Sequence, residues 1–489
     1  MPLLGLLVFE AMLVAVGLLV ARLVLPRGTH HPAELWLPLS FAIGLLANAL
    51  LMKVSLLLTG HYSPWLYTLL AFAAVLLLGI LWNSDRLASL GGFGFLARSG
   101  PQSTRAPARL LTILVFALII MLHAEALRFP LFTWDGRFIW NLKAMILLHE
   151  GTIFGESFMD PERIHFHRDY PLLLPGAYLG IYHLSGGVAD RMARLFLVHL
   201  SVMLFLAFHG SLRSRCAPWI AMAFTALLAE SAFRMDYTVR DGISLTTGVA
   251  DFPFAFFLFL AAWLHLRGWR TSNPRWHLLG GLMTGACLLT KSEGLVVFAA
   301  LCVVNLLAAR WLRRRPTQNR LKHFTLAVAV PLAVVAPWLL LKASLPNFYD
   351  EKFGDLIGVA GLAPLIQRLP RVLSLIAFEV TSIRAWNLTW FLFPVAFMVA
   401  IYWRGRRLHW LPGAAAILIF SGYFLAYLST PLEIHYHVET SIGRLLSHVY
   451  PLALFQLAAA IGLGVRLIFC RQDGESAQSV LQSDPSKTR

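Results

Sequence analysis

Apolar runs, the first four near the roughly twenty residues a helix needs to cross a bilayer, recur along almost the whole chain. They lie at 3–25, 36–58, 64–82, 110–127, 191–211, 217–233, 252–267, 277–289, 324–343, 387–403, 411–428 and 449–468, with a further apolar descent after Gly294. With 58% hydrophobic and 13% charged residues, a soluble globular domain is excluded. The expected fold is all-α: a polytopic membrane protein of about thirteen transmembrane helices, with interfacial helices in its first large external loop. Met1 to Glu10 lacks a basic leader, and no small-residue cleavage site follows, so the first run is expected to be an uncleaved span.

The net charge of +16 does not call for a nucleic acid. The cations sit in short loops between apolar runs, as the positive-inside bias predicts, and no aromatic–basic RNA motif is present. The linker 83–109 carries Arg86, Arg98, Arg105 and Arg109 and is expected in the cytoplasm. The fourth span then runs outward, and the segment 128–170 becomes the first large external loop. The stretch 171–184 is short and starts with two prolines, so it is expected to be a juxtamembrane helix and not a span. That choice keeps Arg213, Arg270 and Arg313–Arg315 on the inside together. The chain thus divides into additional helices and a cytoplasmic linker (1–109), a core (110–343), a C-terminal membrane region (344–469) and a disordered cytoplasmic tail (470–489). External loops are expected at 344–386, ending in a Trp386/Trp390 belt, and at 429–447.

Five polar groups fall on the external side in this topology: Asp135 with Arg137 and Lys143; Arg168 with Asp169; Asp251; Lys291 with Glu293; and His437 with Arg444. Ionisable groups at a membrane interface are costly without a use, and five converging on one face suggest a site. The chemistry that fits is group transfer from a lipid phosphate. A carboxylate takes the proton of an acceptor hydroxyl, Lys and Arg hold the departing phosphate, and grooves between spans hold the lipid tail. Neither a P-loop nor a GxGxxG fingerprint occurs.

Four of these groups also have a plain alternative. Asp135 could pair with Arg137, and Asp251 could cap the helix that Pro253 opens. Lys291 and Glu293 could close a helical turn as an ion pair, and Arg444 could snorkel. His165, His167, His435 and His437 lack helical ligand spacing, so no histidine metal site is expected; a divalent metal remains open as a cofactor. The four cysteines are scattered and form no CxxC pair.

Trp134-Asp135, Tyr170-Pro171-Leu172, Ala250-Asp251-Phe252-Pro253 and Thr290-Lys291-Ser292-Glu293-Gly294 together resemble the C-type glycosyltransferase fold. That superfamily includes the protein O-mannosyltransferases and the lipid A aminoarabinose transferases. The resemblance is closer to bacterial polytopic members, and it covers roughly 110–450. It implies that Asp135 is the catalytic carboxylate, and that Asp251 supports it, with Asp236 and Asp241 as competitors. It also implies that Arg168 contacts the donor phosphate. Three spans precede the usual first helix, and no separate acceptor-binding domain is present, which argues against a protein acceptor. The resemblance implies an inverting transferase in the bacterial inner membrane. It would take a sugar from a polyprenyl-phosphate donor to a glycan or glycolipid acceptor, with Arg137, Lys143, Asp169, Glu293 and His437 among the substrate contacts. The rival readings are a flippase for a lipid-linked glycan, which would show inverted repeats, and a polysaccharide polymerase or ligase.

Overall fold

A computed structural model describes residues 1–25, 33–82, 102–131, 133–160, 162, 167–213, 215–238, 248–312, 317–345, 363–402 and 408–472. In order the helices are α1 Pro2–Val24, α2 Ala33–Thr59, α3 Pro64–Trp82, α4 Gln102–Arg128, α5 Leu142–Glu150, α6 Glu156–Met159, α7 Leu173–Ser185, α8 Asp190–Arg213, α9 Pro218–Thr238 and α10 Asp251–Thr271. They continue as α11 Pro274–Thr290, α12 Gly294–Trp311, α13 Thr317–Ala343, α14 Ala363–Val380, α15 Ile383–Trp386, α16 Thr389–Tyr402, α17 Leu411–Leu428 and α18 Ile434–Gln472. A π-helical segment, Asp135–Asn141, precedes α5. Among the described residues nine helices are long and apolar enough to cross a membrane, and three shorter apolar helices accompany them. With α11, these account for the expected runs.

Because lipid and not water surrounds the bundle, large apolar side chains face outward on the peripheral helices: Leu110, Ile113 and Ile120 on α4, Leu69 and Phe72 on α3. The centre is α10, on which every residue from Asp251 to Leu266 is buried, packed by α8, α11 and α18. Small residues bring backbones together at the membrane level. A Cβ on Gly17 or Gly44 would overlap the Ser40 and Leu13 carbonyls, so α1 and α2 touch main chain to main chain.

The helix α7 has thirteen residues, roughly 20 Å of rise, against the roughly 30 Å of a hydrocarbon core. It is not among the helices long enough to cross. It is not laid on the surface either: Leu173 to Tyr182 are all buried against the bundle. Two other expectations need correction. The segment 434–447 is not a loop but the start of α18, so His437 and Arg444 are helical. Trp386 is 1% exposed. Its Nε1 donates to Glu379 Oε1 at 2.9 Å and its ring packs on Tyr450, so it belongs to the core and not to an interfacial belt. Asp241, Arg313–Arg315 and residues 473–489 lie outside the described residues, as does the side chain of Asp236.

The two ends of the bundle differ. Arg213, Arg267, Arg270 and Arg275 sit at the ends of α8 and α10 and the start of α11; Arg213 pairs with Glu34 at 2.8 Å. The opposite end carries Asp135, Asp251, Lys291, Glu293 and Arg444.

Candidate active site

Asp251 opens α10 with a fully buried carboxylate. It is not a helix cap, because both its oxygens are taken by side chains from elsewhere. Oδ1 accepts from Lys291 Nζ at 2.8 Å and from His448 Nε2 at 2.8 Å; Oδ2 accepts from Arg444 Nε at 3.0 Å. A buried charge is tolerable only when paired in this way. Lys291 lies in the break between α11 and α12, where Lys291 Nζ also meets Glu293 Oε1 at 2.9 Å. Burial pulls the Lys291 ammonium down, but Asp251 and Glu293 outweigh it and its pKa ends above the ordinary value. Burial likewise pushes Glu293 up, and Lys291 outweighs it, so the carboxyl ends below its ordinary value. Both groups are therefore charged.

Asp135 joins this network through Arg444, whose Nη1 lies 2.6 Å from Asp135 Oδ2. One guanidinium thus bridges the two carboxylates through two charge-assisted contacts. Two features hold Asp135 there. It starts the π-helical segment, in which the Leu142 N–H reaches back to Arg137 O; such wide turns often re-aim a side chain at a functional site. In addition, Gly248, with φ +99°, lets the strand of chain entering α10 press on that segment. A Cβ there would lie 2.9 Å from Gly136 Cα. The far end of the π-helical segment is anchored by Asn141, which donates to Asp190 Oδ1 at 3.1 Å and accepts from Tyr182.

A cavity of about 700 Å³ opens over this network. Asp135, Lys291, Glu293, His437 and Arg444 line it, with the rings of Trp134, Tyr170 and Tyr436. Asp135 Oδ1 accepts nothing from the described residues, and Glu293 Oε2 is buried without a hydrogen bond. Arg444 keeps Nη2 and Lys291 keeps a third N–H. The site therefore offers two acceptors and two charged donors to a ligand. His437 is held by Thr430, Nδ1 to Oγ1 2.8 Å.

Besides the fully buried Asp251, four of the candidate site residues do not line the cavity. Arg137 is exposed, its guanidinium 5.9 Å from the Phe138 ring centre. Asp169 faces Lys342 at 3.8 Å. Arg168 is buried and its Nε donates to Phe158 O. Lys143 is fully buried; its Nζ donates to His167 O at 2.7 Å and Tyr170 O at 3.4 Å. Burial pushes the Lys143 ammonium down to about 7, with Asp169 opposing. Lys143 and Arg168 brace the first loop, and the Lys143 partners, His167 and Tyr170, form part of the cavity wall.

His448 was not anticipated, although it completes the Asp251 shell and its Nδ1 accepts from Tyr423 OH at 3.0 Å. The available signal was spacing. His437, Ser441, Arg444 and His448 follow one another at four, three and four residues, which is one face of a helix. Among the described residues no group of three or more His, Cys, Asp or Glu side chains is arranged to hold a metal ion. His165 lies outside them.

The family model described as dolichyl-phosphate-mannose-protein mannosyltransferase matches residues 179–341. That stretch carries Asp251, Lys291 and Glu293. No curated protein and no solved structure matches the chain.

Proposed function

We propose that this chain is a membrane glycosyltransferase of the C-type superfamily, as the family match over 179–341 supports, and an inverting enzyme that transfers a sugar from a polyprenyl phosphate to a glycan or glycolipid acceptor outside the cytoplasm. The observation that carries this reading is Arg444 spanning Asp135 and Asp251 at the floor of the cavity. The donor phosphate takes Arg444 Nη2 and the free N–H of Lys291, and draws Arg444 away from Asp135. Asp135 then accepts the proton of the acceptor hydroxyl. The acceptor oxygen forms its bond to the anomeric carbon on the face opposite the phosphate. The carbon–oxygen bond to phosphate breaks, and the electron pair leaves on the polyprenyl phosphate, which the two cations stabilise. Asp251 does not react; it holds Lys291, His448 and Arg444 in register. Trp134, Tyr170 and Tyr436 offer rings against which a sugar can pack.

Purified protein in liposomes is expected to move labelled sugar from a polyprenyl-phosphate donor to an added lipid or glycan acceptor. Label that remains on every donor tried, together with passage of an intact lipid-linked glycan across the bilayer, would make the protein a transporter instead.

Arg444→Lys tests the phosphate contact. It keeps the charge but loses the planar guanidinium, whose separate N–H groups reach Asp251 and the phosphate in a fixed geometry. Donor affinity is expected to fall by roughly 1.5–3 kcal/mol, the worth of one charge-assisted hydrogen bond. A titration with unchanged affinity would place the phosphate elsewhere.

The side of the membrane is tested by cysteine labelling in a cysteine-free background. Ser292 and Ser272 are both exposed, at opposite ends of α11. An impermeant reagent added to intact cells is expected to modify Ser292→Cys and spare Ser272→Cys, since Arg270 and Arg275 flank the latter. The reverse pattern would invert the topology and move the cavity to the cytoplasm.

A further inference from the structure

At the end of the bundle opposite the cavity three arginines converge: Arg215, between α8 and α9, and Arg267 and Arg270 on the last turns of α10. Cations are expected at one end of a membrane bundle, but an ordinary snorkelling arginine reaches away from the hydrocarbon toward water. Arg215 turns the other way. Its Nη1 donates to Ser211 O, one turn deeper in α8. Its guanidinium lies over the Phe455 ring of α18, 5.1 Å from the centre. Phe455 in turn packs on Phe208 of α8 and Phe259 of α10. The charge is thus wedged where three helices meet. Arg267 is held in a similar way, 4.6 Å from the ring centre of Trp276 and 5.4 Å from that of Trp263.

The charge on Arg215 is not balanced locally. Burial pulls its pKa well below the ordinary value, Arg270 and then Arg267 pull it further, and among the described residues only Cys216 opposes them. Cys216 does not supply the anion, because its Sγ donates to Ala458 O at 3.2 Å and so keeps its proton. Glu34, at the same end, is engaged by Arg213. Arginine stays protonated regardless, so like charges are held together at a cost that an anion would offset. Arg215 Nε is also buried without a hydrogen bond, and a buried donor calls for an acceptor. Guanidinium groups match the oxygens of a phosphate. The flanks of the cluster are apolar and face lipid. Trp219, four residues on, is 36% exposed. Ile461 is 42% exposed and adjoins Gly462, on which a Cβ would stand 3.3 Å from Arg215 O. A phosphate carrying acyl chains meets both the arginines and these flanks, whereas a free phosphate meets only the arginines.

We propose that Arg215, Arg267 and Arg270 hold the phosphate of an anionic phospholipid, whose acyl chains run along Trp219 and Ile461. Basic pockets between transmembrane helices hold such headgroups. The site is independent of the sugar-transfer reading. The test titrates purified full-length protein in detergent with phosphatidylglycerol, with phosphatidylcholine of the same chains and with inorganic phosphate, and counts bound ligand by native mass spectrometry. Phosphatidylcholine carries its own cation. One phosphatidylglycerol is therefore expected to bind about fivefold more tightly or better, the worth of one arginine beside an anionic lipid. Arg215→Gln is expected to erase most of that preference. Arg275→Gln, which removes an exposed charge at the same end, is expected to leave it intact. Should Arg215→Gln fail to fold, Arg270→Gln carries the same expectation. Equal affinity for the two lipids, an equal loss in the Arg215 and Arg275 variants, or displacement of phosphatidylglycerol by inorganic phosphate at the same concentration would overturn the proposal.

Discussion

Asp135→Asn is expected to lower sugar transfer by roughly 10²–10⁴-fold, the range that general-base catalysis supplies, with little change in melting temperature. The substitution keeps the size of the side chain and one oxygen for Arg444, but not the ability to take a proton. As a mere partner of Arg444, Asp135 would contribute about 1 kcal/mol or less, because the pair is partly exposed to the cavity, at 25% and 22% of the side-chain surface. Folding and turnover would then change together and slightly. The two readings agree on stability and differ by orders of magnitude in rate. Rates measured in liposomes within about tenfold of wild type would remove Asp135 from the mechanism.

Asp251→Ala is expected to do the opposite and strike folding first. It takes the shared acceptor from the buried His448, leaves Lys291 with Glu293 alone and leaves Arg444 with Asp135 alone. Breaking one buried charge pair costs about 3–5 kcal/mol, and here three donors lose the same acceptor. Aggregation on size exclusion, or a large drop in melting temperature in detergent, is the expected result. Asp251→Asn, which keeps one acceptor, is expected to fall between. An alanine variant that melts with the wild type would show that the network carries no structural weight.

Much of the membrane architecture was legible because hydropathy reports burial in lipid directly. The run at 411–428 reappears as α17 to the residue, and that at 252–267 as α10, which begins one residue earlier and ends four later. Five members of the cavity network were also legible, because Asp135, Asp251, Lys291, Glu293 and Arg444 are charges set beside apolar runs. The misreadings have physical causes. The polar residues from His435 to Arg444 suggested a loop, yet they continue the helix of the apolar run that follows. A helix lining a polar cavity is not apolar on that face, and His448 was hidden by the same error. Arg168 and Lys143 resemble cavity cations in sequence. Nothing in one dimension separates a cation that donates to Phe158 O or His167 O from one that faces a ligand. The π-helical segment that carries Asp135 leaves no pattern in the sequence, and neither does its close contact with Gly248, which lies far along the chain.

The shell around Asp251 also sets a timetable. Its partners lie 40, 193 and 197 residues further along the chain. Synthesis proceeds at about 5–20 residues per second, so the carboxylate waits roughly two to eight seconds for Lys291 and ten to forty for Arg444 and His448. During that interval α10 carries an incompletely paired acid at the head of an apolar helix. That helix end is therefore expected to stay at the membrane surface, or its carboxyl to stay protonated, until α18 arrives. A ribosome that stops before residue 444 leaves a chain in which the buried Asp251 lacks two of its three partners. Such a chain is distinguishable from the complete one by membrane quality control through electrostatics alone, before any catalysis is possible.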